Sequence, residues 1–211
     1  GKRLLFETRK ITRRKWCIPR GKLYLMKKYL MIASVISLPF TASADGYYAK
    51  LGYGLQDGLN GGSNASEYGL TVGKKLNDVF SAEIKTRLKV KDSSTSNDQR
   101  AEFALIGSKK VYGKLSMYIR GGAGYKLTRD KSHEYWHIEP GLKYKLNDVW
   151  SIKGGVRFRD SFDSIYEQSD ITYKAGISYK LDKNNSISIG SKFKRGDSQY
   201  NAIGVSYKVN F

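Results

Sequence analysis

The sequence predicts an all-β fold, a closed transmembrane barrel of ten antiparallel strands that run up and down. Three observations predict it. Apolar and polar residues alternate through most of residues 45–211, short and long turns alternate strictly, and aromatic residues recur near both ends of the apolar face. The first two indicate two-faced strands joined as hairpins, and the third indicates that the apolar face meets lipid.

The first 44 residues contain a segment that we expect to be removed. Met26-Lys27-Lys28 precedes an apolar run that ends at Phe40, and Ala42-Ser43-Ala44 supplies the small residues of a signal-peptidase site. We therefore divide the sequence into an extension plus signal peptide, residues 1–44, cleaved after Ala44, and a barrel, residues 45–211. Residues 1–44 hold 11 of the 38 Lys and Arg and 1 of the 19 Asp and Glu, so the formal net charge falls from +19 to +9.

Composition then excludes several classes of protein. An exported chain does not meet nucleic acid, so we expect no nucleic-acid partner despite the basic charge. The single cysteine, Cys17, lies in the extension, which leaves residues 45–211 without a disulfide or a cysteine-ligated metal. No apolar run after residue 40 approaches the roughly 20 residues of a membrane helix. We expect no metal and no cofactor.

Each strand is a run of alternation between two turn signals. In the last strand Ile203, Val205, Tyr207, Val209 and Phe211 fall on one face, with polar or small residues between them. The predicted strands, in order, are 46–56, 67–76, 79–90, 99–112, 115–128, 135–146, 149–159, 170–181, 186–195 and 199–211.

Two kinds of connection separate these strands. Short turns are predicted at 76–78, 112–114, 146–148 and 182–185, and longer polar loops near 57–66, 91–98, 129–134, 160–169 and 196–198. The seven residues from Lys75 return with one change, Phe to Trp, from Lys145, so one hairpin unit recurs. Because short and long connections alternate, both ends of the barrel domain are expected on the side of the short turns.

The aromatic residues of the apolar face form two groups about one strand length apart, as in the girdles at the two membrane interfaces. One group adjoins the short turns and the other the long loops. The first comprises Tyr47, Phe80, Tyr144, Trp150, Tyr179 and Phe211, and the second comprises Tyr53, Tyr68, Phe103, Tyr125, Trp136, Phe158 and Phe193. A secreted soluble β-protein is the alternative.

Both ends of residues 45–211 carry a family resemblance. The segment Asp45-Gly46-Tyr47-Tyr48-Ala49-Lys50-Leu51-Gly52-Tyr53-Gly54 and the ending Tyr207-Lys208-Val209-Asn210-Phe211 resemble the first and last strands of small Gram-negative outer-membrane barrels of the OmpA/OmpX type. The resemblance implies location in the outer membrane among its lipids, with the termini in the periplasm. It also implies that Val209 and Phe211 are a signal to the outer-membrane assembly machinery. The best-known small members have eight strands, so eight is our alternative to ten.

The face opposite the lipid is strongly basic. We count 19 Lys and Arg on it against Glu83, Glu102 and Glu139. Unit charges 4 Å apart repel by roughly 1 kcal/mol in water and about 4 kcal/mol at an effective dielectric constant of 20, which argues against a dry lumen. This basic face is similar to that of the oligogalacturonate-porin family. The candidate anion-binding residues are Lys50, Lys85, Arg87, Arg100, Arg120, Lys126, Lys143, Lys153, Arg157, Arg159, Lys174, Lys192 and Lys194.

Glycines and one proline complete the predictions for this face. We expect the lumenal glycines to leave room for anions: Gly52, Gly54, Gly69, Gly73, Gly122, Gly124, Gly141, Gly155, Gly176, Gly190 and Gly204. Pro140 lies inside a predicted strand, where its missing N–H predicts a bulge. Alternation in 99–112 places Lys109 toward lipid and Ile106 in the lumen, which predicts an irregularity there.

The function favoured by this pattern is passive permeation of small anionic solutes through a basic lumen. The alternative interpretation is that paired polar residues fill the lumen and exclude water. It corresponds to a structural or surface-interaction barrel that contacts lipopolysaccharide and transports nothing. A lipid A modifying or protease barrel is a remote alternative. Residues 133–137 match the His-Glu-x-x-His motif of zinc proteases, but they straddle a predicted loop and strand, whereas that motif needs a helix. We expect no enzymatic activity and no catalytic residues.

Overall fold

The computed structural model describes residues 46–59, 64–92, 97–128, 132–163, 169–196 and 199–211, so the predicted signal peptide and its cleavage site lie outside the described residues. Within these ranges no helix has the length and apolar character needed to cross a membrane. The strands are β1 (Tyr47–Gly58), β2 (Ala65–Lys75), β3 (Phe80–Lys91), β4 (Asp98–Tyr112), β5 (Leu115–Leu127), β6 (Ser132–Lys145), β7 (Trp150–Ser161), β8 (Asp170–Lys180), β9 (Asn185–Gly196) and β10 (Tyr200–Asn210).

These strands form one closed antiparallel barrel. Each strand pairs with its neighbours in the chain, and β1 pairs with β10, from Tyr48 opposite Asn210 to Gly58 opposite Tyr200. The predicted closed ten-stranded barrel is therefore confirmed over the eight-stranded alternative. Following the paired residues once around the barrel leads from Gly46 to Gly58, so the shear number is 12. Ten strands with this shear tilt by roughly 40° and enclose a backbone cylinder about 20 Å across.

The short turns lie at the same end of the barrel as Gly46 and Phe211. The repeated sequence builds the same turn twice: the side-chain oxygen of Asn77 accepts hydrogen bonds from the amides of residues 79 and 80, and Asn147 does the same with residues 149 and 150. Asp182 holds the β8–β9 turn in this way, and its hydrogen bond from the Asn185 side chain lowers the pKa of Asp182.

The two faces of the barrel differ as the alternation predicts. Large apolar side chains are exposed on the outside, including Leu51 and Ile203 at 60% each and most members of both predicted aromatic groups. Inside, charged side chains such as Glu102 and Arg157 are buried. An apolar exterior around a polar interior reverses the order of a soluble protein and suits a barrel in lipid.

The two irregularities predicted in the strands have different outcomes. The pairing of β6 with β7 stops at Ile138 opposite Phe158 and resumes at Gly141 opposite Gly155 in the same register. The bulge predicted at Pro140 is therefore wrong: the proline interrupts the ladder by removing one donor without inserting a residue. The irregularity predicted in β4 is confirmed, as the register with β5 shifts between residues 110 and 112.

Candidate anion-binding lumen

The barrel brings the predicted basic residues to its inner face. Eight of them surround one cavity: Lys50, Lys85, Arg87, Arg120, Lys153, Arg157, Lys174 and Lys192. Four others lie nearer the long loops on the same faces of their strands: Arg100, Lys126, Arg159 and Lys194. Lys143 is exposed near the short turns, away from the cavity. Val209 and Phe211 lie on the last strand beside β1, where the Phe211 amide donates to the Tyr47 carbonyl at 2.9 Å.

Glu102 on β4 is the centre of an ion-paired cluster and is 4% exposed. Its carboxylate accepts a hydrogen bond from Arg120 at 2.7 Å and from Arg157 at 3.3 Å. The Tyr135 hydroxyl donates to it at 3.3 Å, and the Arg87 guanidinium lies 4.0 Å away. One carboxylate thus ties together side chains from β3, β5, β6 and β7.

Two further carboxylates extend the cluster along the inner wall. Arg120 also donates to Glu83 at 2.5 Å, and the Tyr48 hydroxyl donates to the same carboxylate at 2.5 Å. Arg157 donates from its Nε to Glu139 at 2.8 Å. Because each guanidinium contacts two carboxylates, both arginines are held in fixed positions against the wall.

Two lysines from the other side of the barrel join this network. The Lys174 ammonium of β8 donates to Glu139. The Lys192 ammonium of β9 donates to Glu67 at 2.8 Å, and Glu67 also lies 3.6 Å from Arg87. Five of the eight cations around the cavity are therefore paired with carboxylates, and these five cations share four glutamates.

Near the long loops the lumen contains a second, smaller set of ion pairs. Asp170 pairs with Arg159 and, at 3.1 Å, with Lys194. Asp98 lies 3.5 Å from the Lys91 ammonium. Both aspartates are buried.

The lumen holds more carboxylates than the alternation predicts. Glu83, Glu102 and Glu139 lie on the inner face as predicted, and Glu67, Asp98 and Asp170 also lie there. All three lie at the loop end of a strand, where the sequence pattern is equally consistent with an acidic residue in the loop. Extending the alternation two residues outward from Gly69, Arg100 and Thr172 would have found them. The charge excess is smaller than predicted, but it persists.

The cavity occupies about 210 Å³ and has two unlike walls. We call the cluster around Glu83, Glu102 and Glu139 the ion-paired wall. The opposite side, which we call the open wall, comes from β1, β2, β9 and β10 and consists of Gly52, Gly54, Gly69, Ser188, Gly190, Gly204 and Ser206. Because these side chains are small, the free space lies beside the open wall.

The prediction that lumenal glycines leave room holds for only part of the set. A Cβ at Gly124 would lie 2.6 Å from the Tyr135 ring, and one at Gly155 would lie 2.5 Å from the Tyr118 hydroxyl. Gly73 and Gly141 are covered by tyrosine rings in the same way, and Gly122 by His137. At these five positions the prediction is wrong, because the missing side chain makes space for a ring from another strand and, at Gly122, also for the carbonyl oxygen of residue 103.

Three cations at the cavity differ from the rest. Within the described ranges, no carboxylate lies within 4.0 Å of the ammonium groups of Lys50, Lys85 or Lys153. The Lys153 stem passes over Gly176, 3.8 Å from where a Cβ would stand. These lysines are the candidate contacts for a mobile anion, because no fixed negative charge is paired with them.

The His-Glu-x-x-His motif at residues 133–137 lies wholly within β6, so the prediction that it straddles a loop and a strand is wrong. His133 and His137 face the lumen, while Glu134 faces outward, since alternate residues of a strand point to opposite sides. A zinc protease instead needs the glutamate beside the metal that both histidines bind. Among the described residues, no three His, Cys, Asp or Glu side chains are grouped to hold a metal ion.

Comparison with known proteins agrees with this architecture. The family model described as an outer membrane protein beta-barrel domain matches residues 29–211. An outer-membrane channel from Pseudomonas putida F1 is similar in structure, with a TM-score of 0.55 and 8% identity over 80% of this chain and 96% of the channel. A KdgM porin in complex with disordered oligogalacturonate has a TM-score of 0.44 and 21% identity over 76% of this chain and 98% of that one. The search of curated proteins returned no match.

The family match covers all ten strands, and the barrel has the apolar exterior that such a location requires. The chain therefore belongs to the outer membrane protein beta-barrel domain family and is a barrel of the bacterial outer membrane.

Proposed function

We propose that this barrel allows small anionic solutes to permeate the outer membrane passively and catalyses no reaction. The observation that carries the proposal is a series of lumenal cations without a carboxylate partner among the described residues. It runs from the long loops to the short turns: Lys89 and Arg100 near the long loops, Lys85, Lys50 and Lys153 at the cavity, and Lys75, Lys143 and Lys180 near the short turns.

The paired and unpaired cations have different roles in this proposal. Arg120 and Arg157 each contact two glutamates, so they stiffen the wall and add less net field than an unpaired cation does. The unpaired ammonium groups attract anions and repel cations along the whole lumen, as rings of Lys and Arg do in anion pores. Lysine suits this role because its flexible stem lets the charge follow a passing ion.

Planar-bilayer recording of the refolded barrel in a potassium chloride gradient tests the proposal. We expect a reversal potential that shows chloride passing in preference to potassium. In Lys85→Glu the preference should fall several-fold, because the variant reverses one unpaired charge at the cavity. The matched control is Lys74→Glu, since Lys74 lies outside the lumen over the Tyr47 ring and its reversal should leave selectivity unchanged.

A barrel that conducts nothing, or that prefers potassium, contradicts the proposal. The first result would favour a structural barrel whose outer rim contacts lipopolysaccharide. We also propose that Phe211 and Val209 are read by the assembly machinery, which deletion of Phe211 tests as a loss of folded barrel in the outer membrane.

A further inference from the structure

We propose that the cavity is a binding site for a small multivalent oxyanion of the phosphate or sulfate class, held by Lys50, Lys85 and Lys153. This inference rests on the proposed function, because the ion must reach the lumen. It names the class of solute that binds transiently in the cavity. It depends on the charge and the space at one place in the barrel.

The charge at the cavity calls for more than one negative charge. Three ammonium groups line it with no carboxylate of the described residues within ion-pair distance. The Lys50 charge is opposed by those of Lys153, Lys208 and Lys192 and favoured by that of Glu83. The Lys85 charge is likewise opposed chiefly by that of Arg87 and also by that of Lys192, and favoured by that of Glu102. A chloride ion balances one of the three unpaired charges, whereas a dianion balances two. The repulsion among these cations therefore favours a multivalent anion.

The open wall supplies the space and further hydrogen-bond donors. The cavity of about 210 Å³ equals roughly seven water molecules at 30 Å³ each, so a tetrahedral oxyanion enters with part of its hydration shell. Thr71, Ser188 and Ser206 also line the cavity, and the Ser188 hydroxyl shares a hydrogen bond with Ser178. Hydroxyl groups donate to oxyanions without adding charge.

The same residues favour release as well as binding. Arg87, Arg120 and Arg157, which present rigid bidentate forks, are already occupied by glutamates. The free cations are lysines, which hold an anion as point charges without fixed geometry. A site on a permeation path must bind firmly enough to admit the ion and weakly enough to let it go.

The experiment measures block of the chloride current by inorganic phosphate and by sulfate at pH 7 in planar bilayers. We expect saturable block by phosphate and by sulfate, and none by nitrate. In the triple variant Lys50→Gln, Lys85→Gln, Lys153→Gln the half-blocking phosphate concentration should rise about tenfold or more. The single variant Lys85→Gln should show a smaller rise in the half-blocking concentration. It replaces the triple variant in the test if the triple variant does not refold.

The matched control is Lys75→Gln, Lys143→Gln, Lys180→Gln, which removes the same number of lumenal charges near the short turns, outside the cavity. Its half-blocking concentration should rise much less than that of the cavity triple variant, because these three charges belong to the permeation path but lie outside the cavity. Equal loss of block in both triple variants overturns the site, because any charge in the lumen would then suffice.

A second measurement separates failure of the site from failure of permeation. The phosphorus NMR line of inorganic phosphate should broaden with the barrel in a phosphate-free detergent and sharpen with the cavity triple variant. Broadening without any conductance supports the site and contradicts permeation. Chloride-selective conductance with neither block nor broadening supports permeation and overturns the site.

Discussion

The two walls of the lumen use the same residue, glycine, for opposite purposes. On the ion-paired side, Gly124 and Gly155 accept tyrosine rings and help to fill the barrel. On the open wall, Gly52 and Gly69 would meet nothing closer than 3.7 Å with an added Cβ, and space remains beside them. A glycine on the inner face of a barrel strand therefore does not by itself show where space lies, because a ring from another strand can cover it.

The largest expected effect comes from filling the open wall. In Ser206→Trp the indole enters the cavity from β10 without backbone strain, because the position already carries a Cβ. We expect the chloride conductance in planar bilayers to fall about tenfold or more, while anion preference persists in what remains. Ser206 lines the cavity opposite the ion-paired wall, so the variant removes space and leaves every cation in place.

The control for this variant is Tyr207→Trp, one residue along the same strand. Tyr207 faces outward, 41% exposed, where a larger aromatic side chain meets lipid. Conductance should be unchanged. If Ser206→Trp conducts as well as the unmodified barrel, the current does not pass the open wall, and the distinction between the walls has no bearing on transport.

The sequence predicts the fold well because a barrel strand encodes its orientation locally. Alternation assigns a face to each residue, and the repeated Asn at 77 and 147 marks two turns through hydrogen bonds to residues only two or three positions away. The location of free space is not local. Gly69 and Gly73 lie on one strand and one face, yet only Gly73 is covered, because Tyr48 on β1 turns over it.

Pairing of charges is equally non-local, and this limits what the sequence says about the site. Arg157 and Lys153 are both basic residues on the inner face of β7, but Arg157 reaches Glu102 on β4 and Lys153 reaches no carboxylate of the described residues. Which cation is free depends on strands that lie far apart in the sequence. The sequence therefore predicts a basic lumen, and only the structure separates its free charges from its paired ones.

An intermediate effect is expected from breaking the ion-paired wall. Glu102→Gln removes the charge that Arg120 and Arg157 share, and leaves one partly buried and one buried guanidinium group undercompensated. Loss of one partner of a buried ion pair costs about 3 kcal/mol. Chemical unfolding of the refolded barrel should show a fall of this size in the free energy of unfolding.

Glu134→Gln is the control, since Glu134 is exposed on the outer face of β6 and makes no ion pair among the described residues. Its unfolding free energy should stay within about 0.5 kcal/mol of the unmodified barrel. A loss below about 1 kcal/mol for Glu102→Gln would mean that the cluster contributes little to stability. The ion-paired wall would then differ from the open wall in charge alone.

The smallest effects are expected for alanine at one glycine of each wall. One substitution should lower the free energy of unfolding and the other should raise it. Gly124→Ala places a methyl group 2.6 Å from the Tyr135 ring and 2.7 Å from the carbonyl oxygen of residue 101, so the wall must shift. Overpacking of this kind costs about 2 kcal/mol. Gly69→Ala meets only ordinary contacts, at 3.7 Å from the carbonyl oxygen of residue 86 and 4.0 Å from Arg87. It should stabilise the barrel by about 0.5 kcal/mol, because alanine has less freedom to lose on folding. The measurement is the unfolding free energy of both variants under one set of conditions, and equal changes would show that tyrosine cover does not distinguish the walls.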